Sequence, residues 1–231
     1  MDEGATVVVG VTSQSTVWRL AMLGFAVAAW LVGFAILLRL GTWTLFALTG
    51  PALAALALWS DAATRALLRP SFRKAGVGLA AGLLMVVLTH AAFAFVAPLL
   101  SEARTATARL FELLNVSGFS PAARVGFIVA IASSEEVIFR GALMGPPARR
   151  QEGLFHRVDR DDLLRVLALA VAYALAMATL ESGLLIVCAF GCAVLWGGLR
   201  VATRSLVVPI IAHVVWDLGI LVVWPLVQSG G

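Results

Sequence analysis

Charge is scarce in this chain. Charged residues are 13% of its 231 positions, against a hydrophobic share of 61%, whereas soluble domains run at about 25% charged and 45–50% apolar. That shortage excludes an ordinary soluble domain, and a mean hydropathy of +0.98 points to a polytopic membrane protein. Cysteine is scarcer still: Cys188 and Cys192 are the only two. Both lie in one apolar run at helical i,i+4 spacing, which excludes a disulfide framework or cysteine metal cage and leaves packing. The first seventeen residues contain Asp2 and Glu3 but no Lys or Arg, so they lack the basic start of a cleaved signal peptide, and the first span is expected to stay in the product. Internal repeats, low-complexity tails and a soluble domain are missing too. The net charge of +4 and a pI near 10.0 do not indicate nucleic acid as a partner. The basic residues sit in short loops between apolar runs, where topology accounts for them.

What is present is a series of apolar runs. A helix crossing about 30 Å of hydrocarbon needs roughly 17–25 residues, and seven segments qualify: 20–38, 43–59, 77–97, 121–143, 163–180, 183–199 and 205–227. The expected fold is therefore all-α, a helical bundle of about seven transmembrane helices. The loop after the second span holds Arg65, Arg69, Arg73 and Lys74. The loop after the fourth holds Arg149, Arg150, Arg157 and Arg160, and the turn after the sixth holds Arg200 and Arg204. The other side has only Arg39, Arg104, Arg109 and Arg124, so the bias places the N-terminus in the cytoplasm and the C-terminus outside. Between the third and fourth spans, Leu110, Leu113 and Leu114 fall opposite the more polar Glu102, Arg109 and Glu112, as in a short interfacial helix. Pro121 then suits the first turn of the fourth span. Residues 1–76 are expected to form an N-terminal helical pair with a basic loop, less essential than a membrane core over 77–231.

Ionisable groups inside spans cost roughly 2.5–3.5 kcal/mol each on the insertion scale and usually face the bundle interior. Away from the span ends, where Arg124 and Arg165 lie, they are His90, Glu135, Glu136, Arg140, His213 and Asp217. Glu136 and Arg140 are four apart and share a helix face, while Glu135 points about 100° away. A buried ion pair that merely locks the helix would explain them. A functional site requires a second polar group at matching depth, and His213 with Asp217, again at i,i+4, supplies it from the seventh span. One carboxylate held near an arginine and another in an apolar setting are suited to activating a water for attack on a carbonyl and returning the proton to a leaving amine. His213 could donate where oxyanion charge develops.

These residues resemble the motifs of the CAAX-protease and bacteriocin-processing family of intramembrane glutamic-type peptidases, whose eukaryotic relatives cut prenylated CAAX proteins. Its Glu-Glu-xxx-Arg motif is matched by Glu135, Glu136 and Arg140, and its final His-xxx-Asn/Asp motif by His213 and Asp217, over a likeness spanning about residues 77–227. The resemblance implies a CAAX-protease-like core in which Glu136 activates the water. The family's middle Phe-xxx-His motif falls on Tyr173 to Met177. Tyr173 keeps the aromatic, but Met177 stands where an imidazole is expected and has no proton to donate. These two are expected to line the substrate-binding part of the site. His90, about thirteen residues into the third span, could supply the missing imidazole, or could instead make an interhelical hydrogen bond. His213, Glu136 and either His90 or Asp217 would make a metal-ligand set, but the His-Glu-xx-His zinc signature is absent. A glutamic mechanism without metal or cofactor is the expectation.

The expected function is thus an intramembrane endopeptidase acting on a membrane-associated, lipidated or leader-peptide substrate within the bilayer of a cell inner membrane. A catalytically silent relative that binds or chaperones a membrane partner is the alternative. A transporter ranks lower, because paired Gly/Pro-broken helices are lacking.

Overall fold

The computed structural model describes residues 16–40, 44–115, 120–146, 153–178 and 182–226. Asp2, Glu3, Arg149, Arg150 and Glu181, along with the side chains of Leu113 and Leu114, lie outside that description. All regular structure among the described residues is helical: α1 Thr16–Leu40, α2 Thr44–Ser60, α3 Ala62–Ala66, α4 Phe72–Val96, α5 Ser101–Asn115, α6 Pro121–Glu135, α7 Arg160–Ala176, α8 Gly183–Thr203 and α9 Val207–Leu218. Helices α6 and α9 each run on into a wider, π-helical stretch, Glu136–Leu143 and Gly219–Val223 respectively. Each of the seven expected segments coincides with a helix. Two of these, Phe72–Val96 and Gly183–Thr203, are long and apolar enough to cross a membrane, while Ala21–Leu37, Leu48–Ser60 and Val207–Val223 are shorter apolar stretches.

Local chemistry sets the helix starts. Ser120 accepts from the Ala123 N–H at 3.3 Å ahead of Pro121, Asp159 from Asp162 at 2.8 Å, and Ser182 from Leu185 at 3.4 Å. Each satisfies a first-turn donor that the helix itself leaves unpaired. Helix α8 stops at Arg204, whose φ of 48° lies in the left-handed region. The segment between the third and fourth expected spans forms helix α5, which buries Ala103, Ala106, Thr107 and Phe111 while Leu110 stays partly exposed.

The short α3 has no signature in the hydropathy pattern. Asp61 caps it, accepting from Ala63 N at 2.9 Å and Thr64 Oγ1 at 2.7 Å. The carbonyl of Leu67 beyond it then accepts from Leu206 N at 3.0 Å, which fastens the N-terminal helices to the start of α9. One apolar core joins Met22, Ala26, Trp30 and Leu37 of α1 to Phe139, Tyr173, Trp196 and Ala212.

Helix α4 lies against α9 with backbones in close approach, because a Cβ on Gly78 or Gly82 would stand 2.8 Å from the carbonyl oxygen of Val208 or Ala212. Main chain cannot rotate aside as a flexible side chain can. Gly82→Ala is therefore expected to push the helices apart and cost about 1–3 kcal/mol, read as a lowered unfolding temperature in detergent. An unchanged transition would show that the contact yields freely. The opposite flank of α4 exposes Leu79, Leu83, Val87 and Phe95, an apolar surface larger than water ordinarily tolerates.

Candidate functional site

The acidic pair sits where α6 widens, and the widening must leave carbonyls without their usual helical partners. Arg200 of α8 supplies two of the missing donors: its Nε reaches the Arg140 carbonyl at 3.1 Å and its Nη2 the Gly145 carbonyl at 3.2 Å. Arg200 is buried, and Arg204 bonds Asp162 Oδ2 at 2.9 Å. Neither is the free loop cation that the charge pattern suggests. They are tied into the protein because α8 extends to Thr203, which carries Arg200 inside the bundle.

Glu136 and Arg140 pair as their spacing predicts. Arg140 Nη1 stands 3.3 Å from Glu136 Oε1, close enough for charge attraction yet poorly aligned as donor and acceptor. Nη1 and Glu136 Oε2 are consequently buried without hydrogen-bond partners among the described residues. The guanidinium is compensated by ring faces, with its carbon 4.9 Å from the Tyr173 centroid, 5.4 Å from Trp196 and 5.9 Å from Phe139, a cation–π setting.

The second constellation meets the first. His213 Nδ1 lies 3.0 Å from Glu136 Oε1, while Nε2 lies 3.4 Å from Asp217 Oδ2 and 4.0 Å from Glu135 Oε2. Trp196 stacks on the imidazole at 3.6 Å and 19°, which holds the ring plane. Glu135 does not pair with Arg140 and takes its own donors: Trp30 Nε1 at 2.8 Å to Oε1 and the Tyr173 hydroxyl at 2.6 Å to Oε2. Glu136 has no exposed surface, whereas the Asp217 side chain keeps 19%. The cluster is therefore most open at Asp217, while the Glu135 side chain keeps only 6%.

The remaining candidates divide. His90 is not brought to the acidic pair; its Nε2 bonds the Trp224 carbonyl at 3.0 Å and its ring stacks on Trp224 at 3.7 Å. Met177, buried, follows the last residue of α7 within the same apolar core as Tyr173 and Trp196. Tyr173, expected to line a substrate-binding surface, spends its hydroxyl on Glu135. His156 lies outside the site in the loop before α7, its N–H donating to Ala202 O at 2.7 Å. Partial burial, with Arg204 and Lys74 nearby, holds its imidazole below the ordinary value.

Trp30 and Trp196 carry no signal in the sequence, because an aromatic within an apolar run has no mark distinguishing a site partner from core or lipid contact. Among the described residues, no three His, Cys, Asp or Glu side chains are arranged to hold a metal ion.

Comparison with known proteins places the chain. The family model for type II CAAX prenyl endopeptidase Rce1-like proteins matches residues 116–219, which include the acidic pair, Arg140, Tyr173, Met177, His213 and Asp217. No curated protein and no solved structure matches the chain at a significant level.

Proposed function

The chain belongs, through residues 116–219, to the type II CAAX prenyl endopeptidase Rce1-like family, and from that premise we propose that it is an intramembrane endopeptidase cutting a peptide bond of a membrane-associated substrate. The observation that carries the proposal is His213 bracketed by Glu135, Glu136 and Asp217, at 4.0, 3.0 and 3.4 Å. Three carboxylates there meet one guanidinium and one imidazole. Such a buried cluster approaches neutrality only when His213 holds both ring protons and a further proton is shared among the acids. A shared, transferable proton is what acyl hydrolysis uses.

We assign the base's role to Glu135, departing from the expectation that Glu136 holds it. Glu136 is fully enclosed, and its Oε1 faces both Arg140 and His213. It suits fixing the imidazole's orientation. Glu135 Oε2 lies 4.0 Å from His213 Nε2, the ring nitrogen that also faces the partly exposed Asp217. In the proposed step Glu135 takes a proton from water, the hydroxyl oxygen attacks the scissile carbonyl carbon, and His213 donates toward the developing oxyanion. The C–N bond then breaks and the proton passes to the leaving amine, giving a carboxyl and an amino terminus.

The apolar flank of α4 and the two long apolar helices support a multi-pass placement, which we extend to about seven spans in a cell inner membrane. Contacts support an N-terminus in the cytoplasm, because the Leu67–Leu206 and His156–Ala202 bonds gather three basic connections at one end of the bundle. Met177, lying in the apolar core where the resemblance expects a histidine, favours a second reading: a silent relative that binds a membrane partner.

The readings separate when purified protein in liposomes is given a panel of membrane-anchored peptides. Release of product by the wild type upholds the peptidase. A silent wild type, with cleavage gained in Met177→His and lost again on adding Glu135→Gln, establishes the second reading. His90→Ala is expected to retain activity within about threefold, since its ring is committed to Trp224. Loss of cleavage in a folded His90→Ala protein would overturn that placement.

A further inference from the structure

Building on the peptidase reading, we infer that Trp30 and Tyr173 are positioning residues for Glu135, so that helix α1, outside the family-matched segment, forms part of the working site. A Glu carboxyl group ordinarily turns broadly about its terminal torsion. Here each oxygen takes a donor from a different helix, Trp30 Nε1 of α1 at 2.8 Å and Tyr173 Oη of α7 at 2.6 Å. With both bonds made, the carboxylate plane is set. The second lone pair of Oε2 is left for the His213 Nε2 side, 4.0 Å away.

The donors are themselves immobilised. Trp30 is fully buried and meets Phe139 edge-on at 6.2 Å. Tyr173 meets the same ring edge-on at 5.2 Å, so Phe139 braces both. Tyr173 holds the aromatic position of the middle motif, whereas Trp30 lies outside all three motifs and 105 residues from its acceptor. A carboxylate this buried would otherwise lose its water partners uncompensated.

Trp30→Phe and Tyr173→Phe each delete one donor while keeping an aromatic ring in the core. In proteoliposomes supplied with a membrane-anchored fluorogenic peptide, each is expected to lower kcat about 10- to 100-fold, the range for hydrogen bonds to a charged group, with KM unchanged. A second readout needs no turnover: the carboxylate stretching band of Glu135, identified in the infrared by subtracting the Glu135→Gln spectrum. This band is expected to shift in both variants, with the unfolding temperature held within a few degrees. Full kcat in both folded variants overturns the inference while leaving the peptidase reading intact. If the wild type turns over no peptide, the peptidase reading fails and the infrared band decides: a shift upholds the positioning, and an unmoved band ends it. If Trp30→Phe does not fold, Tyr173→Phe, which removes a single oxygen, decides by the same two measurements.

Discussion

Glu135→Gln is expected to lower cleavage by about 10²–10⁴-fold, the usual contribution of a general base, while the protein folds and its KM stays near that of the wild type. The amide keeps an oxygen able to accept from Trp30 or Tyr173, and the side chain is not the partner of Arg140, so the fold loses little. Glu136→Gln is expected to behave differently. It removes the negative charge beside a buried guanidinium, and breaking a buried pair in that way costs about 3–5 kcal/mol. Its main signature is a lowered unfolding temperature, with lost activity following from lost folded protein. The two variants, assayed for turnover per folded molecule, therefore test which glutamate is the base. A folded Glu136→Gln protein without turnover, beside an active Glu135→Gln protein, would return the role to Glu136.

Arg140→Met should have the largest effect on stability. The guanidinium is the fixed positive charge within a cluster of three carboxylates, and it also fills the space between the faces of Tyr173, Trp196 and Phe139. Methionine can fill the volume but leaves Glu136 buried without its cation. A loss of about 3–5 kcal/mol is a large share of the 5–15 kcal/mol typical of a folded domain, so most of the protein is expected to be recovered unfolded or aggregated from detergent. Adding Glu136→Gln should recover part of the loss, because the uncompensated charge is then gone. Arg140→Lys should fall between, keeping charge but losing the planar stack on the rings. An Arg140→Met protein as stable as the wild type would mean that the ion pair contributes nothing.

Several features are legible in the sequence because they depend on spacing alone. Four residues along a helix return to the same face, so the Glu136–Arg140 and His213–Asp217 pairings follow from counting. The 100° offset separates Glu135 from Arg140 in the same way. Depth along two helices matches His213 to Glu136, and the structure has them 3.0 Å apart. Where a residue's partner lies on a helix whose rotation is unknown, counting gives nothing. Depth alone makes His90 a candidate for the site, yet its helix turns it toward Trp224. Arg200 reads as a turn residue because hydropathy does not mark where α8 ends.

Sequence by itself determined the all-helical class, the ionisable groups held within apolar segments and the two i,i+4 pairs, because these rest on composition and on the helical period. Only the tertiary structure decided that Trp30 and Tyr173 take the two oxygens of Glu135, that Arg200 satisfies carbonyls at the widened end of α6, and that Glu136 is enclosed while Asp217 keeps some exposure. Those outcomes depend on how each helix is rotated about its axis, and that rotation is set by close packing between helices distant in the chain. No local stretch of sequence contains it.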